Sequence, residues 1–277
     1  MRCCFCGTVR NCAPYLENVL KNIEILSTLF DDYEIIIVYD QSTDNSLQIL
    51  KDYQNINSKL NFYIIPELIS KYRTHRLAYA RNICLNYVMQ KKDIYPVFIM
   101  MDFDEVNAKN VNPEILQEYL SENNMKLWDA LSFNSSPKYY DIWALSIHPY
   151  CFSYNHFTNN QFHNYHTIQE YICRLLDNLK NQNKKNKLLK CISAFNGFAI
   201  YKTNVFENSK YDGTINLRKI PIEYLKTHCQ ASGGNFILND YGHLDGRHEE
   251  CEHRLFHISA IKEKNAKIMI SPNCLFF

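Results

Sequence analysis

Between residues 1 and 107 short apolar runs alternate with stretches of helical periodicity, and that rhythm admits few folds. "CCFCGTV" reads as a strand. In "APYLENVLKNIEILSTLF", Leu16, Val19, Leu20, Ile23 and Leu26 or Ser27 fall at helical spacing, with Pro14 suited to a first turn. "YEIIIVYD" is a continuous buried strand and "STDNSLQILKDY" a helix opened by capping residues. "KLNFYIIP" is a third strand, "HRLAYARNICLNYVMQ" a helix and "VFIMMDFD" a fourth strand. Strand and helix in regular alternation imply an α/β fold with a mostly parallel central sheet and helices on both faces. In such sheets ligands lie beyond the carboxyl ends of the strands. Gly7, Thr8 and Arg10 after the first strand, Asp40 at the end of the second, and Asp102 and Asp104 at the end of the fourth should therefore converge on one crevice.

From about residue 128 the pattern is less regular. "DALSFN" and "SAFNGFAIYK" read as strands, "TIQEYICRLLDNL" as a helix and "AKIMISPNCLFF" as a final strand, all expected to extend the same sheet. No Pro/Gly/Ser linker divides the 277 residues and Gly totals only 7, so one continuous domain over 1–277 is expected.

A formal charge of +1 offers no basic face for general nucleic-acid binding. The one basic run, "KNQNKKNKLLK", reads as a solvated loop or helix end. No stretch reaches the roughly 18 apolar residues that a membrane span needs, so a soluble, cytoplasmic chain without a transmembrane segment is expected. The 11 cysteines lack a secreted-type framework, which fits reduced thiols. Cys3, Cys4, Cys6 and Cys12 lack the paired spacing of a closed zinc site and read as buried strand thiols.

The chemistry centres on "VFIMMDFDEV". In an extended segment alternate side chains share a face, so Asp102 and Asp104 point together and Phe103 points away. Paired carboxylates repel, and a divalent cation relieves that repulsion. Oxygen-only ligands favour Mn2+ or Mg2+ over zinc and leave positions for water and phosphates. A calcium loop fits worse, because Asn107 stands where its glycine belongs and Val106 where an oxygen ligand belongs. The alternative is a polar turn or helix cap after a strand.

Together with "RNCAPYLENVL", "VYDQSTDNS" and "LAYARN", taken in order, this block resembles glycosyltransferases of the GT-A fold. There a sugar nucleotide lies across a Rossmann-like sheet and a D-x-D motif holds the metal. The resemblance puts Asp40 at the base or ribose and matches Arg81 and Asn82 to an Arg-Asn pair whose arginine approaches the diphosphate, a task that suits a planar guanidinium. In the second half, "YYDIWALSIHPY", "CISAFNGFAIYK", "ECEHRLFH" and "ISPNCLFF" are similar to motifs of the CAP59-type, capsule-associated mannosyltransferases. That likeness implies a sugar-side place for Asn196 and Gly197, whose other reading is a turn between strands. It makes His257 a third metal ligand, with His253 its rival. Glu250 and Glu252 become candidate bases for an inverting transfer, with Asp245 a weaker one and a charged helix face the other reading. His148, His156, His163 and His166 read as a loop rather than a metal cluster, and "HEECEH" is not a zinc-protease helix.

The resemblance thus implies a glycosyltransferase that moves a sugar from a nucleoside diphosphate to a hydroxyl of a glycan or glycoconjugate. The nucleotide sugar would lie on residues 1–107 and the acceptor on 108–277. Two competitors stand beside it. A sugar-nucleotide pyrophosphorylase would share sheet and metal, and a non-catalytic carbohydrate-binding protein would use the 20 Tyr and 16 Phe as stacking platforms.

Overall fold

The alternation is realised, in a computed structural model that describes residues 1–151, 161–182, 187–214, 217–231 and 249–277. β1 (Arg2–Val9), α1 (Ala13–Ser27), β2 (Asp32–Tyr39), α2 (Ser46–Ile56), β3 (Leu60–Ile64), α3 (Arg73–Gln90) and β4 (Val97–Asp102) follow one another as expected. In α1 the periodic set Leu16, Val19, Leu20, Ile23, Leu26 and Ser27 is buried. β1 pairs in parallel with β2 on one side and β4 on the other, and β2 pairs in parallel with β3. The chain winds outward from β1 to β3, then α3 carries it back across the sheet to β4. The winding direction therefore reverses between β1 and β4, the place where such sheets open a crevice.

Helices cover both faces of β1, which explains its unbroken apolar run. Cys3 and Phe5 pack with α1, while Cys4 and Cys6 pack with Cys84 of α3. Because these thiols are buried on opposite faces, they cannot close around one zinc ion.

The second half contributes α4 (Pro113–Leu120), α5 (Glu122–Met125), β5 (Ala130–Asn134), α6 (Gln161–Lys180), β6 (Leu189–Cys191), β7 (Phe198–Lys202), α7 (Ile222–Ala231), α8 (Glu252–Lys264) and β8 (Ile268–Cys274). All eight strands join one sheet in the order β3-β2-β1-β4-β7-β5-β8-β6. β7 runs antiparallel to both β4 and β5, β5 is parallel to β8, and β6 is antiparallel to β8. Of the basic run, Lys180 closes α6 and Lys190 lies in β6. No helix among the described residues is long and apolar enough to cross a membrane.

One strand end differs from the sequence reading. β1 ends at Val9, as "CCFCGTV" reads, with Val9 opposite Tyr39 of β2, so Gly7 and Thr8 are strand residues and only Arg10 follows the strand. β4 stops at Asp102, opposite Thr8 of β1. Phe103 and Asp104 therefore belong to the turn that follows.

Candidate active site

The strand ends and the first half of α3 enclose a cleft of about 240 Å3 at the β1/β4 reversal. Thr8, Arg10, Asp40, Asp102 and Asp104 line it, together with Arg73, Arg76, Leu77 and Ala80 of α3. Asp40 is buried, and its Oδ2 accepts from Arg10 Nη1 at 2.8 Å and from Arg76 Nε at 3.1 Å. Arg73 is exposed and has no ion pair or hydrogen bond with another described residue. Neither Arg73 nor Arg76 stands out in the sequence. Only the turn of α3 toward the strand ends reveals them.

The "QSTDNS" segment opens α2 as expected, with Asp44 Oδ1 accepting from Ser46 N at 3.0 Å, and it has a second role besides. Asn45, at the head of α2, makes no side-chain cap bond. In addition Ser46 Oγ accepts from Cys12 N at 2.9 Å, Asp44 Oδ2 from Ala13 N at 2.9 Å and Ser42 Oγ from Asn11 N at 2.9 Å. The loop after β2 thereby satisfies the amides that open α1, and it fixes Arg10 beside Asp40.

A turn holds the two carboxylates. Asn196 and Gly197 adopt φ 55° and 80°, so both residues before β7 sit in the left-handed region that Asn and Gly tolerate. The Gly197 carbonyl accepts from Asp102 N at 2.8 Å and from Asn107 Nδ2 at 2.6 Å, while Asn107 Nδ2 also donates to Asp102 O at 2.8 Å. Asp104 Oδ1 accepts from Val106 N at 3.1 Å. Burial and the charge of Asp102 push Asp104 up to about 6. Asp141, overlooked in the sequence, is pushed up to about 6 by burial, with the charges of Asp102 and Glu252 adding to it. Its two oxygens accept from Ala144 N and Asn196 N, each at 3.2 Å. Tyr140 Oη lies buried against Gly197 with no hydrogen-bond partner among the described residues, and burial with the charges of Asp102, Asp141 and Asp104 keeps the phenol protonated.

Among the described residues no three His, Cys, Asp or Glu side chains group to hold a metal ion by themselves. The donor chemistry nonetheless fits a hard divalent cation. Asp102 and Asp104 would offer oxygen donors, and after burial the charge of Asp102 contributes to the raised Asp104. A site with two protein carboxylates is one that Mn2+ or Mg2+ completes with water and substrate phosphates.

Arg81 does not line the cleft. It is 2% exposed, with its guanidinium 4.7 Å from the centre of the Phe195 ring. Nη2 donates to Asp102 Oδ1 at 2.6 Å, and Nη1 donates to Glu252 Oε1 and His253 Nε2. Burial works to lower its pKa, but Glu252 and Asp102 outweigh it and hold the guanidinium protonated. Burial raises Glu252 against the opposing pull of Arg81, and it lowers His253, which stacks on Phe195 at 3.8 Å and stays neutral. The neighbouring Asn82 exchanges bonds with the backbone of Tyr211, donating to its carbonyl and accepting from its amide, each at 2.9 Å.

Several expected site residues have other partners. Gly7 points its hydrogen at the Phe103 ring, which fills the space a side chain would need, so it shapes the cleft without lining it. Glu250 pairs with Arg254 at 3.2 Å and accepts from Cys251 N at 2.7 Å. His257 is fully buried, with Nδ1 3.0 Å from Ser193 Oγ and Nε2 3.2 Å from Tyr201 Oη. No ring nitrogen is left for a cation, and burial pushes its pKa down to about 3. Asn196 uses its whole amide within the turn, accepting from Tyr140 N and Asp141 N and donating to Phe133 O and Ser135 Oγ. The turn reading of Asn196 and Gly197 therefore describes what they do here. His148 lies in an exposed turn, but His163 and His166 belong to α6 and not to a loop, with His166 exposed; Asp245, His156 and His248 lie outside the described residues.

Similar folds are known. S. aureus TarS 1–349, solved in complex with UDP, superimposes with a TM-score of 0.50 at 14% identity over 100% of this chain and 59% of that one. A second S. aureus TarS structure also gives 0.50 at 14% identity, covering 100% of this chain and 36% of that one. A Pyrobaculum calidifontis mannosyltransferase, solved with GDP-Man and Mn2+, gives 0.40 at 12% identity, covering 84% and 52%. The chain thus spans less than two thirds of each, and at these identities the likeness concerns the fold alone. No curated protein matches the sequence. The family model for glycosyl transferase family 2 matches residues 6–168, a span from β1 into α6 that takes in the whole lining of the cleft. This family is broader than the CAP59 type, which none of these matches carries. A match over well over half of the chain, on the sheet that builds the strand-end cleft, means that the chain belongs to glycosyl transferase family 2.

Proposed function

We propose that the β1/β4 cleft binds a nucleoside diphosphate sugar with Mn2+ or Mg2+ and transfers the sugar to a hydroxyl of a glycan or glycoconjugate. The observation that carries this reading is the charge pattern of the cleft: Arg10, Arg73 and Arg76 share one cavity with Asp40, Asp102 and Asp104. Arginines suit a diphosphate, which they grip bidentately, and paired carboxylates suit the cation that accompanies it. To Asp40, held by two arginines, we assign the nucleoside. Arg73, with its guanidinium uncommitted, is the phosphate contact we favour over the buried Arg81.

When bound, the cation supplies Lewis-acid stabilisation of the charge that builds on the departing diphosphate. Arg73 adds fixed positive charge to the same group, where electrostatic demand is largest. Asp102 and Asp104 orient the cation, and the Asn196–Gly197 turn holds the Asp102 backbone in place. Residues 1–107 form the nucleotide side, and Asp141 and Tyr140 face the acceptor side from residues 108–277.

The test is a calorimetric titration with UDP and with GDP, each in Mn2+ and in chelator, followed by a screen of the matching sugar donors for transfer and slow hydrolysis. UDP leads because it occupies the TarS structure of like fold. Metal-dependent binding of one nucleotide with release of free sugar is expected. Pyrophosphate release from a nucleoside triphosphate and a sugar phosphate would favour the pyrophosphorylase instead. Binding to neither nucleotide would sink the proposal.

A further inference from the structure

Glu252 opens α8, remote in sequence from β4, yet both carboxylates meet the same guanidinium. Arg81 donates through Nη1 to Glu252 Oε1 and through Nη2 to Asp102 Oδ1 at 2.6 Å. The planar fork cannot rotate freely between them. Phe195 lies against it at 4.7 Å, and His253, which also accepts from Nη1, stacks on Phe195 at 3.8 Å. All four side chains that position Asp102 are nearly excluded from water. Asp102 is the partly accessible end and lines the cleft beside Asp104.

Resting on the metal-dependent reading above, we infer that Glu252 is a positioning residue. Through Arg81, clamped by Phe195, it sets the orientation of the Asp102 carboxylate for the divalent cation, and it does not act as a base. The geometry gives each member one task. Glu252 holds Nη1, so Arg81 is anchored from α8 and does not swing fully onto Asp102. Arg81 occupies only Oδ1 of Asp102, which leaves Oδ2 for a cation. Phe195 fixes the plane of the guanidinium and hence the angle of the carboxylate. A partner one shell out from a metal ligand commonly changes affinity by about 10–100-fold.

The experiment measures Mn2+ affinity directly, by electron paramagnetic resonance of free Mn2+ and by calorimetry, on the whole chain with UDP present and absent. Circular dichroism serves as the folding control. Glu252→Gln keeps the volume and removes the anchor charge, and it should weaken Mn2+ by about tenfold or more. Phe195→Leu alters no charge, so a weaker cation there reports orientation and not through-space attraction; a loss of several-fold is expected. If Glu252→Gln does not fold, Phe195→Leu decides alone. Wild-type affinity in a folded Glu252→Gln overturns the inference, as does a normal Phe195→Leu, because charge alone would then explain Glu252. If the wild-type protein binds no Mn2+, the metal-dependent reading itself falls and takes this inference with it, a result distinct from a failure confined to the variants.

Discussion

At the scale of single residues the two charged groups that most shape the cleft face opposite demands. Arg73 is exposed and makes no ion pair with another described residue, and its charge reaches Asp104 only as a minor pull, so stability depends on it little. Arg73→Gln should leave the melting temperature unchanged and weaken nucleotide binding by about tenfold, the loss of one charge-assisted hydrogen bond. Calorimetry with UDP and Mn2+ reads the change. Asp104 is different because burial and Asp102 raise it from 3.8 to about 6. Between those values the unfolded chain has released a proton that the folded chain retains, so stability falls as pH rises through that window. Asp104→Asn cannot ionise. Without metal it should melt higher than wild type at about pH 7.5, and the advantage should vanish as pH falls toward about 4. With Mn2+ at neutral pH the same variant should bind nucleotide more weakly, and scanning fluorimetry across pH separates the two effects.

Among elements, the turn before β7 matters most, because it connects the second half of the chain to the end of β4. Gly197 at φ 80° faces Tyr140 Oη, and its carbonyl holds Asp102 N. Gly197→Ala meets both a left-handed backbone and an occupied space, and should cost about 1–3 kcal/mol. Urea denaturation measures that cost, and Mn2+ affinity should fall with it because Asp102 moves. The helices show the same division of labour. α1 was legible from its periodic apolar set, and the "STDNS" segment caps α2 as it reads, through Asp44 Oδ1 and Ser46 N, while also satisfying the amides that open α1. Local propensity names the capping residues, and only packing of the two loops adds the second helix they serve.

Over the whole molecule the sheet does not divide where the proposed functions do. β4 is covered by β7, and the core packing of β1, α1 and β2 continues through Trp128, Phe133, Phe198, Leu275 and Phe276. A fragment of residues 1–107 would expose the β4 edge and that apolar face, a liability for any unpaired strand. It should fail to unfold cooperatively and should aggregate, while residues 1–277 unfold in one transition, as calorimetry can check. A stable, nucleotide-binding fragment would show that the nucleotide half is a folding unit in its own right.

Apolar periodicity and strand-end chemistry determined from sequence alone the α/β alternation, the parallel winding of β1 to β4 and the crevice residues Asp40, Asp102 and Asp104. Each of these is a local pattern, carried by residues a few positions apart and by a general rule for parallel sheets. The partners of long-range residues were decided only in three dimensions. Glu252 and Asp102 share Arg81, Glu250 turns to Arg254, and His257 spends both nitrogens on Ser193 and Tyr201. The same holds for Arg73 and Arg76, which are ordinary helix residues until α3 is laid over the strand ends. A sequence records which groups can ionise or coordinate. Which of them face each other follows from burial and chain crossing, because a buried charge takes whatever partner the packing brings within reach.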